Sequence, residues 1–319
     1  MKRYKVLITD GLNDTGLDLL RSHPNLDLTI RKSTTPDELK KLIPDYSIVM
    51  VRSKTLITAE LIGLGKKLEV IVSCGVGTDQ IDTEAANQSG IHVYNCPTAN
   101  TLSTAEHTLG LIFAVTRNIS QSQSLIRNGV WERGESMRGI EIHGKILGII
   151  GMGNIGRIVA EKAMALGMQV IAYDQRSAFE LKLPEKFKYL ENRYTLSKSM
   201  EEVLKQADIL TLHIPKNRNT LNLISDPEIA LMRPGSFLIN CSRGGIVNES
   251  AVLNALNSGH LRGAAFDVFD PEPPHFSNPL FSHPRFTATA HLGGSTDEAL
   301  DRIGAQAAQS VLEFANTRR

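Results

Sequence analysis

Two doubly wound parallel-sheet α/β domains are predicted, and three features predict them. Short apolar runs alternate with amphipathic stretches over residues 4–94, and the alternation resumes over residues 146–289. Such a series builds a parallel sheet with helices on both faces. Between the two series, Asn95-Cys96-Pro97-Thr98-Ala99-Asn100-Thr101 is rich in turn formers and has no apolar period, which places a domain crossing near residue 100. The third feature is the stretch 145–174, which runs strand, glycine turn, helix, strand, acid.

In the first series, residues 4–9 and 26–30 read as strands. Thr35-Pro36-Asp37-Glu38 combines an N-cap, a proline at the first helical position and a capping-box acid, so a helix starts there. Residues 46–51 form a buried strand that runs at once into Arg52-Ser53-Lys54. Residues 68–72 form another, followed by Ser73-Cys74-Gly75-Val76-Gly77, and residues 91–94 a shorter one. Ligands of parallel sheets bind beyond the carboxyl ends of the strands. Arg52-Ser53 and Gly75-Val76-Gly77 lie at such ends, and glycines let backbone N–H groups turn towards an anion.

After the crossing, Ser103-Thr104-Ala105-Glu106 reads as a capping box that starts a long helix through Arg117. A second helix over residues 118–128 leads to Trp131. Both precede the glycine-turn strand instead of returning to the first sheet, and they read as an arm that packs on a neighbouring subunit.

The central stretch opens with the apolar run 146–150, then Gly151-Met152-Gly153-Asn154-Ile155-Gly156. A helix follows with Ile155, Ile158, Val159, Ala163 and Leu166 on one stripe, and the apolar run 168–173 ends at Asp174. This is the dinucleotide-binding fingerprint in its required context. Gly151 permits the tight turn, Gly153 leaves room for a pyrophosphate, and Gly156 lets the helix pack closely. The free N–H groups and dipole of the helix face the phosphates. Asp174 is placed to accept the adenosine ribose hydroxyls. A bare glycine motif also serves as a plain strand-to-helix turn; the flanking strands and the acid select the binding reading.

The polar stretch 175–197 carries no readable pattern. Ser199 caps a helix to Gln206, and the strand 209–213 ends in His213-Ile214-Pro215. Asp226-Pro227 starts a helix that ends near Pro234. The strand 236–240 runs into Cys241-Ser242-Arg243-Gly244-Gly245, a helix covers 249–258, and the strand 261–268 includes Asp267. After Asp270-Pro271-Glu272-Pro273-Pro274 comes a last strand, 286–289, and then His291-Leu292-Gly293-Gly294. Ser295 and Glu298 form a capping box on a final helix. His213, Arg243, Asp267 and His291 therefore share one edge of the second sheet.

The 319 residues suffice for two sizeable cores. A formal net charge of +1 suggests no nucleic-acid or anionic-membrane partner. The three cysteines include no Cys-x-x-Cys pair, which fits a reducing, cytoplasmic setting and argues against structural zinc. The nine histidines lack ligand spacing, so no metal is expected. No apolar run reaches the length of a signal peptide or a membrane span.

Dinucleotide redox chemistry asks little of the protein: hold the substrate, move one proton, exclude water. Arg243 can grip a carboxylate through two parallel hydrogen bonds. His291 can exchange a hydroxyl proton near neutral pH. Glu272, in a proline-stiffened loop, can pair with His291 and raise its pKa. Singly, each residue is more often a surface or loop group; their joint occurrence at strand ends beside the fingerprint makes the set a candidate site. Cys241 reads as packing, and His107, inside a helix, as a packed or interface residue.

These residues resemble a known family, the D-2-hydroxyacid dehydrogenases, and most of all their D-3-phosphoglycerate dehydrogenase branch. The resemblance runs through Val51-Arg52-Ser53, Gly75-Val76-Gly77-Thr78-Asp79, Ala105-Glu106-His107-Thr108, Gly129-Val130-Trp131-Glu132-Arg133, the glycine fingerprint, Ser242-Arg243-Gly244-Gly245, Phe266-Asp267-Val268-Phe269, Pro271-Glu272-Pro273-Pro274 and His291-Leu292-Gly293-Gly294-Ser295-Thr296. It implies a Rossmann-type NAD domain, 102–291, inserted into a flavodoxin-like substrate domain made of 1–101 and 292–319. It implies a catalytic trio of Arg243, Glu272 and His291. It implies NAD contacts from Gly151, Gly153, Asn154, Ile155, Gly156, Asp174, His213, Ile214, Pro215, Cys241, Ser242, Asp267, Gly293 and Gly294. Arg52, Ser53, Val76, Gly77 and Asn100 would line the substrate side. A homodimer built on an arm of about residues 103–140 and a short form without a regulatory domain are further implications. The implied reaction is hydride transfer between nicotinamide and a D-2-hydroxy acid, first of all D-3-phosphoglycerate/3-phosphohydroxypyruvate in serine biosynthesis. Hydroxypyruvate or glyoxylate reduction is the second expectation, and an NAD-sensing corepressor a remote third. Ser73 stands where the branch usually has an arginine.

Overall fold

In the computed structural model, which describes residues 2–177 and 193–317, the apolar runs become parallel strands. The chain forms two units, Met1–Thr101 with Gly294–Arg319, and Leu102–Gly293.

The first unit holds β1 (Tyr4–Ile8), β2 (Leu26–Ile30), β3 (Ile48–Val51), β4 (Val70–Ser73) and β5 (His92–Tyr94). Their order is β2-β1-β3-β4-β5, all parallel. Successive side chains of a strand point to opposite faces, so a sheet covered on both sides needs unbroken apolar strands. Tyr4, Val6, Ile8, Ile48, Met50, Val70 and Val72 enter one core, and Leu7, Val49, Val51 and Ile71 the other. The second core is closed by α2 (Pro36–Leu42), α3 (Ala59–Leu64) and α4 (Thr83–Gln88) through Leu39, Leu61, Ile62 and Ala86. The capping box on α2 forms: Thr35 Oγ1 accepts from Glu38 N–H at 3.3 Å, and Glu38 Oε2 from Thr35 N–H at 2.9 Å.

The first core is closed by α1 (Asp14–Arg21) and by the C-terminal helix, Asp297–Thr317, which contributes Ile303, Ala307, Ala308, Val311 and Phe314. These two helices meet backbone to backbone. A Cβ on Gly16 would lie 2.7 Å from the Gly304 carbonyl oxygen, and only glycine allows that approach.

The second unit carries a seven-stranded parallel sheet, β12-β11-β10-β9-β6-β7-β8. Its strands are β6 (Ile146–Ile150), β7 (Gln169–Tyr173), β8 (Tyr194–Ser197), β9 (Ile209–Leu212), β10 (Ser236–Asn240), β11 (Leu261–Phe266) and β12 (Phe286–Ala288). Leu147, Ile149, Ile209, Phe237 and Ile239 face a core shared with α5 (Thr101–Thr116) and α7 (Asn154–Ala165). Ile150, Leu210, Leu212 and Leu238 face the opposite core, covered by α8 (Met200–Gln206), α9 (Asp226–Leu231) and α10 (Glu249–Ser258). Strand β6 is flanked by β7 on one side and β9 on the other, so the strand order reverses at its carboxyl end, where such sheets bind ligands.

The structure differs from the sequence expectation at two helix starts. Helix α5 starts at Thr101, not Ser103: the Thr101 hydroxyl donates to Thr98 O at 2.9 Å, and Ser103, only 6 % exposed, lies inside the helix. Helix α5 packs on the sheet, where Ala105, Leu109, Leu111, Ile112 and Val115 belong to the core. By contrast α6 (Ile119–Arg127) buries none of its residues. The last helix, α11 (Asp297–Thr317), is capped by Thr296, whose Oγ1 accepts from Ala299 N–H at 3.2 Å, and not by Ser295. Finally, the unread stretch 175–197 ends in an edge strand, since β8 pairs with β7 from Tyr194 to Ser197, while its residues 178–192 lie outside the described residues.

Candidate active site

The glycine turn owes its shape to contacts as much as to flexibility. Gly151 sits at φ +100°, and a Cβ there would meet the His213 carbonyl oxygen at 2.3 Å. A Cβ on Gly156 would come within 2.1 Å of the Gly151 carbonyl oxygen, so this glycine seats the helix on the turn itself. Gly153 is different: a Cβ there would meet nothing within 4 Å. Its missing side chain leaves open space at the start of α7, beside exposed Asn154 and half-buried Ile155. Among the described residues no side chain caps α7, and its first turn carries no acid. Uncapped N–H groups with open space before them suit a phosphate.

Asp174 follows β7. Its Oδ2 accepts from Met152 N–H at 2.8 Å, which ties the acid to the glycine turn. Burial would raise this carboxyl, but hydrogen bonds from Arg176 and Met152 hold it below its ordinary value. On the other flank, Thr211 Oγ1 and His213 Nε2 lie 3.2 Å apart. Burial pushes the His213 pKa down to about 3, so its imidazole stays neutral. Ile214 is half-buried against the core, and Pro215 is exposed. These residues line the turn a dinucleotide would cross, and the Gly153 gap, the uncapped helix and the acid fit such a group.

The next strand ends supply the reactive groups. Asn240, 1 % exposed at the end of β10, accepts from Ser242 N–H at 3.1 Å and from its hydroxyl at 2.8 Å, and its amide donates to Arg243 O at 3.0 Å. Cys241 is buried among apolar side chains, and burial pushes its thiol up to about 12. Arg243 Nη1 donates to Ser242 O at 2.7 Å. A Cβ on Gly244 would lie 1.8 Å from Phe269 O, so the Arg243 loop lies directly on the chain leading to Glu272.

Glu272 Oε1 accepts from Phe269 N–H at 3.0 Å, and its Oε2 lies 2.7 Å from His291 Nδ1. The hydrogen bond to Glu272 raises the His291 pKa against the effect of burial, and the Arg243 charge opposes the rise. For Glu272, burial acts upward, but the bonds from His291 and Phe269 carry the carboxyl below its usual value. His291 adopts φ +54°, a left-handed conformation that costs of order 1–3 kcal/mol in a non-glycine residue.

Asp267 holds that conformation. Its backbone oxygen accepts from His291 N–H at 2.8 Å. Its carboxylate, in a residue 1 % exposed, accepts from Thr289 Oγ1 at 2.6 Å, Leu292 N–H at 2.7 Å and Gly293 N–H at 2.8 Å. His107 Nε2, from α5, lies 3.2 Å from Asp267 Oδ1 and 3.0 Å from Thr289 Oγ1. Sequence reading took His107 only as a packed or interface residue and gave Thr289 and Asn240 no role; the position of Asn240 at a strand end was the available signal.

Arg52, Ser53, Val76, Gly77 and Asn100 lie in the first unit, and so does Gly294. Arg52 and Ser53 follow β3, and Val76 and Gly77 follow its neighbour β4. Asp10 fixes the first of these loops: its Oδ2 accepts from Arg52 N–H at 2.8 Å, and its Oδ1 from Thr55 Oγ1 at 3.0 Å. Three carbonyls fix the second, those of Gly75 to Cys96 N–H at 2.8 Å, Val76 to Asn95 Nδ2 at 2.6 Å and Gly77 to Ser73 Oγ at 2.6 Å. Ser73 is 1 % exposed and also accepts from Gln80 Nε2 at 2.8 Å, so it serves the loop and not the solvent. A Cβ on Gly294 would lie 2.6 Å from Asn100 Nδ2.

The second unit is thus a dinucleotide-binding α/β fold with a histidine–carboxylate pair and an arginine at its strand ends. The sequence model described as D-isomer specific 2-hydroxyacid dehydrogenase, NAD binding domain, matches residues 109–293, and the chain belongs to this family. It is 38% identical over 307 residues to a D-3-phosphoglycerate dehydrogenase of Methanocaldococcus jannaschii, covering 96% of this chain and 56% of that protein. The chain spans little more than half the length of such relatives, 57% of that from Bacillus subtilis for example. A hydroxypyruvate reductase of Thermotoga maritima is 36% identical, with 98% of this chain and 99% of that protein covered. Among solved structures, D-lactate dehydrogenase from Aquifex aeolicus, complexed with NAD and lactic acid, aligns with a TM-score of 0.83 at 26% identity, over 98% of this chain and 96% of that one. Among the described residues, no helix is long and apolar enough to cross a membrane.

Proposed function

We propose that this chain is an NAD-dependent D-2-hydroxyacid dehydrogenase, with Arg243, Glu272 and His291 as its catalytic residues. The contact between His291 Nδ1 and Glu272 Oε2, 2.7 Å long beside Arg243, carries the reading. When bound, the nicotinamide ring supplies the hydride acceptor or donor. Arg243 grips the substrate carboxylate and polarises the reacting oxygen. His291, oriented by Glu272 at Nδ1, moves the hydroxyl proton at Nε2. Asp267 and Gly293 hold the loop that carries it. Asp174 and the start of α7, with Gly151, Gly153, Asn154, Ile155, Gly156, His213, Ile214, Pro215, Cys241 and Ser242, make the cofactor wall.

We assign the first unit to the substrate. The N–H groups of Val76 and Gly77 donate to no acceptor among the described residues, while the carbonyls around them are occupied, which suits a carboxylate. Arg52, with Ser53 and Asn100, completes this side. The first choice of acid is D-3-phosphoglycerate, oxidised to 3-phosphohydroxypyruvate, with Arg52 on the phosphate; the named D-3-phosphoglycerate dehydrogenases support it. The second reading, reduction of hydroxypyruvate or glyoxylate, is favoured by Ser73, which is buried and offers a phosphate no charge. A homodimer is part of the proposal: Phe113, Ile119, Ile126, Val130 and Trp131 are exposed, Trp131 by 78 %, along the segment assigned to the contact.

The test is catalytic efficiency for 3-phosphohydroxypyruvate against hydroxypyruvate in wild type and Arg52→Ala. Losing one charge-assisted bond should cost the phosphorylated acid about tenfold or more. If wild type prefers the unphosphorylated acid, the second reading replaces the first. Binding of NADH without turnover of any 2-oxo acid would leave only a dinucleotide-sensing role.

A further inference from the structure

Three successive carbonyls in the loop after β4 are each held by a donor. Cys96 N–H donates to Gly75 O at 2.8 Å, Asn95 Nδ2 to Val76 O at 2.6 Å and Ser73 Oγ to Gly77 O at 2.6 Å. A trans peptide is planar, and its C=O and N–H point opposite ways. Each held carbonyl therefore aims the next residue's N–H away from the holder: Val76 away from Cys96, Gly77 away from Asn95, and Thr78 away from Ser73. Among the described residues the Thr78 N–H donates to no acceptor, and in this it matches those of Val76 and Gly77.

The third holder is itself held. The buried Ser73 hydroxyl has a single proton, which goes to Gly77 O. A hydroxyl rotates to suit its neighbours, so an acceptor beside it would draw that proton elsewhere. Gln80 sets a donor there instead: its Nε2 donates to Ser73 Oγ at 2.8 Å. The main chain of Gln80 is fixed in turn. Its carbonyl accepts from Ile57 N–H at 2.8 Å, Asp82 N–H donates to Ile57 O at 2.9 Å, and Ile57 pairs with Ile81 in a parallel bridge. Both isoleucines are buried in the core on one face of the first sheet. Ile57 also lies just beyond the loop that carries Arg52, which is closed by Thr55 N–H on Arg52 O at 3.2 Å. Gln80 thus ties together the loops that follow β3 and β4, by its backbone to one and by its side chain to the other.

We propose that Gln80 is a positioning residue for the substrate: through Ser73 it holds the Gly77 carbonyl, and so presents the Thr78 N–H as a third donor to the substrate carboxylate, beside those of Val76 and Gly77. This rests on the assignment of the first unit to the substrate and deepens it by naming a further donor and the two side chains that set it. The carboxylate is common to all 2-oxo acids, and hydride transfer leaves it unchanged. A donor to it stabilises the bound substrate and the transition state alike. Such uniform binding acts on KM and leaves kcat where it was. Arg52, assigned to a phosphate, acts by contrast on the phosphorylated acid alone.

The test is steady-state reduction of hydroxypyruvate and of 3-phosphohydroxypyruvate by wild type, Ser73→Ala, Gln80→Glu and Gln80→Met. Ser73→Ala removes the holder of the Gly77 carbonyl. Gln80→Glu keeps the shape but sets an acceptor against the hydroxyl, which draws its proton from Gly77 O. Gln80→Met keeps the length and removes the donor only. Ser73→Ala and Gln80→Glu should raise KM for both acids by about tenfold, the size of one hydrogen bond to a charged group, with kcat near that of wild type. Gln80→Met should fall between these and wild type. NADH affinity, measured by titration calorimetry, should not change in any of them. A wild-type KM in both Ser73→Ala and Gln80→Glu overturns the proposal. So does a fall in kcat at unchanged KM, and so does a rise in KM confined to the phosphorylated acid, which would place the two side chains in the service of the phosphate. Should Ser73→Ala fail to fold, the two Gln80 variants decide the matter, because they leave the buried serine in place. If wild type reduces neither acid, the assignment of the substrate side is itself wrong and the proposal falls with it.

Discussion

Two histidine–carboxylate pairs stand in the second unit, and they are built for different work. His291 and Glu272 approach to 2.7 Å with side chains 44% and 37% exposed. His107 and Asp267 approach to 3.2 Å with side chains 23% and 2% exposed. Among the described residues Glu272 has one further partner, Phe269 N–H, and it leaves the imidazole open to solvent. Asp267 gathers Thr289, Leu292 and Gly293 as well, and its bonds go to backbone that must not move. An exposed pair can exchange a proton with a ligand; a sealed carboxylate with several donors instead fixes the loop that presents the first pair. The left-handed backbone of His291 is the link between them, since it is held by the Asp267 carbonyl.

The comparison breaks most easily at the exposed pair. His291→Ala and Arg243→Ala should each lower turnover or efficiency by at least about a hundredfold, the usual size of general acid–base loss, with NADH binding retained. Near-normal rates in both variants would remove the catalytic assignment.

Glu272→Gln sharpens it. The carboxylate raises the His291 pKa, so its removal lowers that pKa. In the proposed mechanism, reduction of a 2-oxo acid needs His291 protonated. Its rate should hold at low pH and fall as pH rises through the raised His291 pKa; oxidation should show the opposite limb. In Glu272→Gln the falling limb of reduction should move to lower pH, with a loss of roughly tenfold to a hundredfold near neutrality. A pH–rate profile that does not move would show that Glu272 does not control the proton.

At the sealed pair the expected effects are smaller on chemistry and larger on folding. Asp267→Ala leaves the Leu292 and Gly293 N–H groups without their acceptor, which should cost about 1–3 kcal/mol at the buried Gly293 N–H and less at Leu292, an exposed residue. His107→Gln should cost about 1 kcal/mol or less, because Thr289 and the backbone donors still hold the acid. Denaturant unfolding of both variants measures this. Equal losses would mean that the two residues act as one ion pair and not as clamp and accessory.

The sequence by itself determined the parallel α/β architecture and the strand–turn–helix–strand unit around residues 146–173. The reason is that side-chain period, capping and glycine placement act over a few neighbouring residues. Thr35 to Glu38 shows this, since all its partners lie within one turn. Motif reading also picked out Arg243, Glu272 and His291 as a set. It misplaced the start of α5 and the cap of α11, because Ser103 and Ser295 satisfy the local pattern while Thr98, Thr101 and Thr296 make the actual bonds. Only the tertiary structure decided which groups hold the site. That Gly151 faces His213 O, that Gly244 faces Phe269 O, and that Asp267 collects donors from residues 107 and 289–293 are contacts between distant segments. No local period encodes them, because a buried carboxylate is satisfied by whichever donors the fold brings to it, and those come from wherever the sheet edge places them.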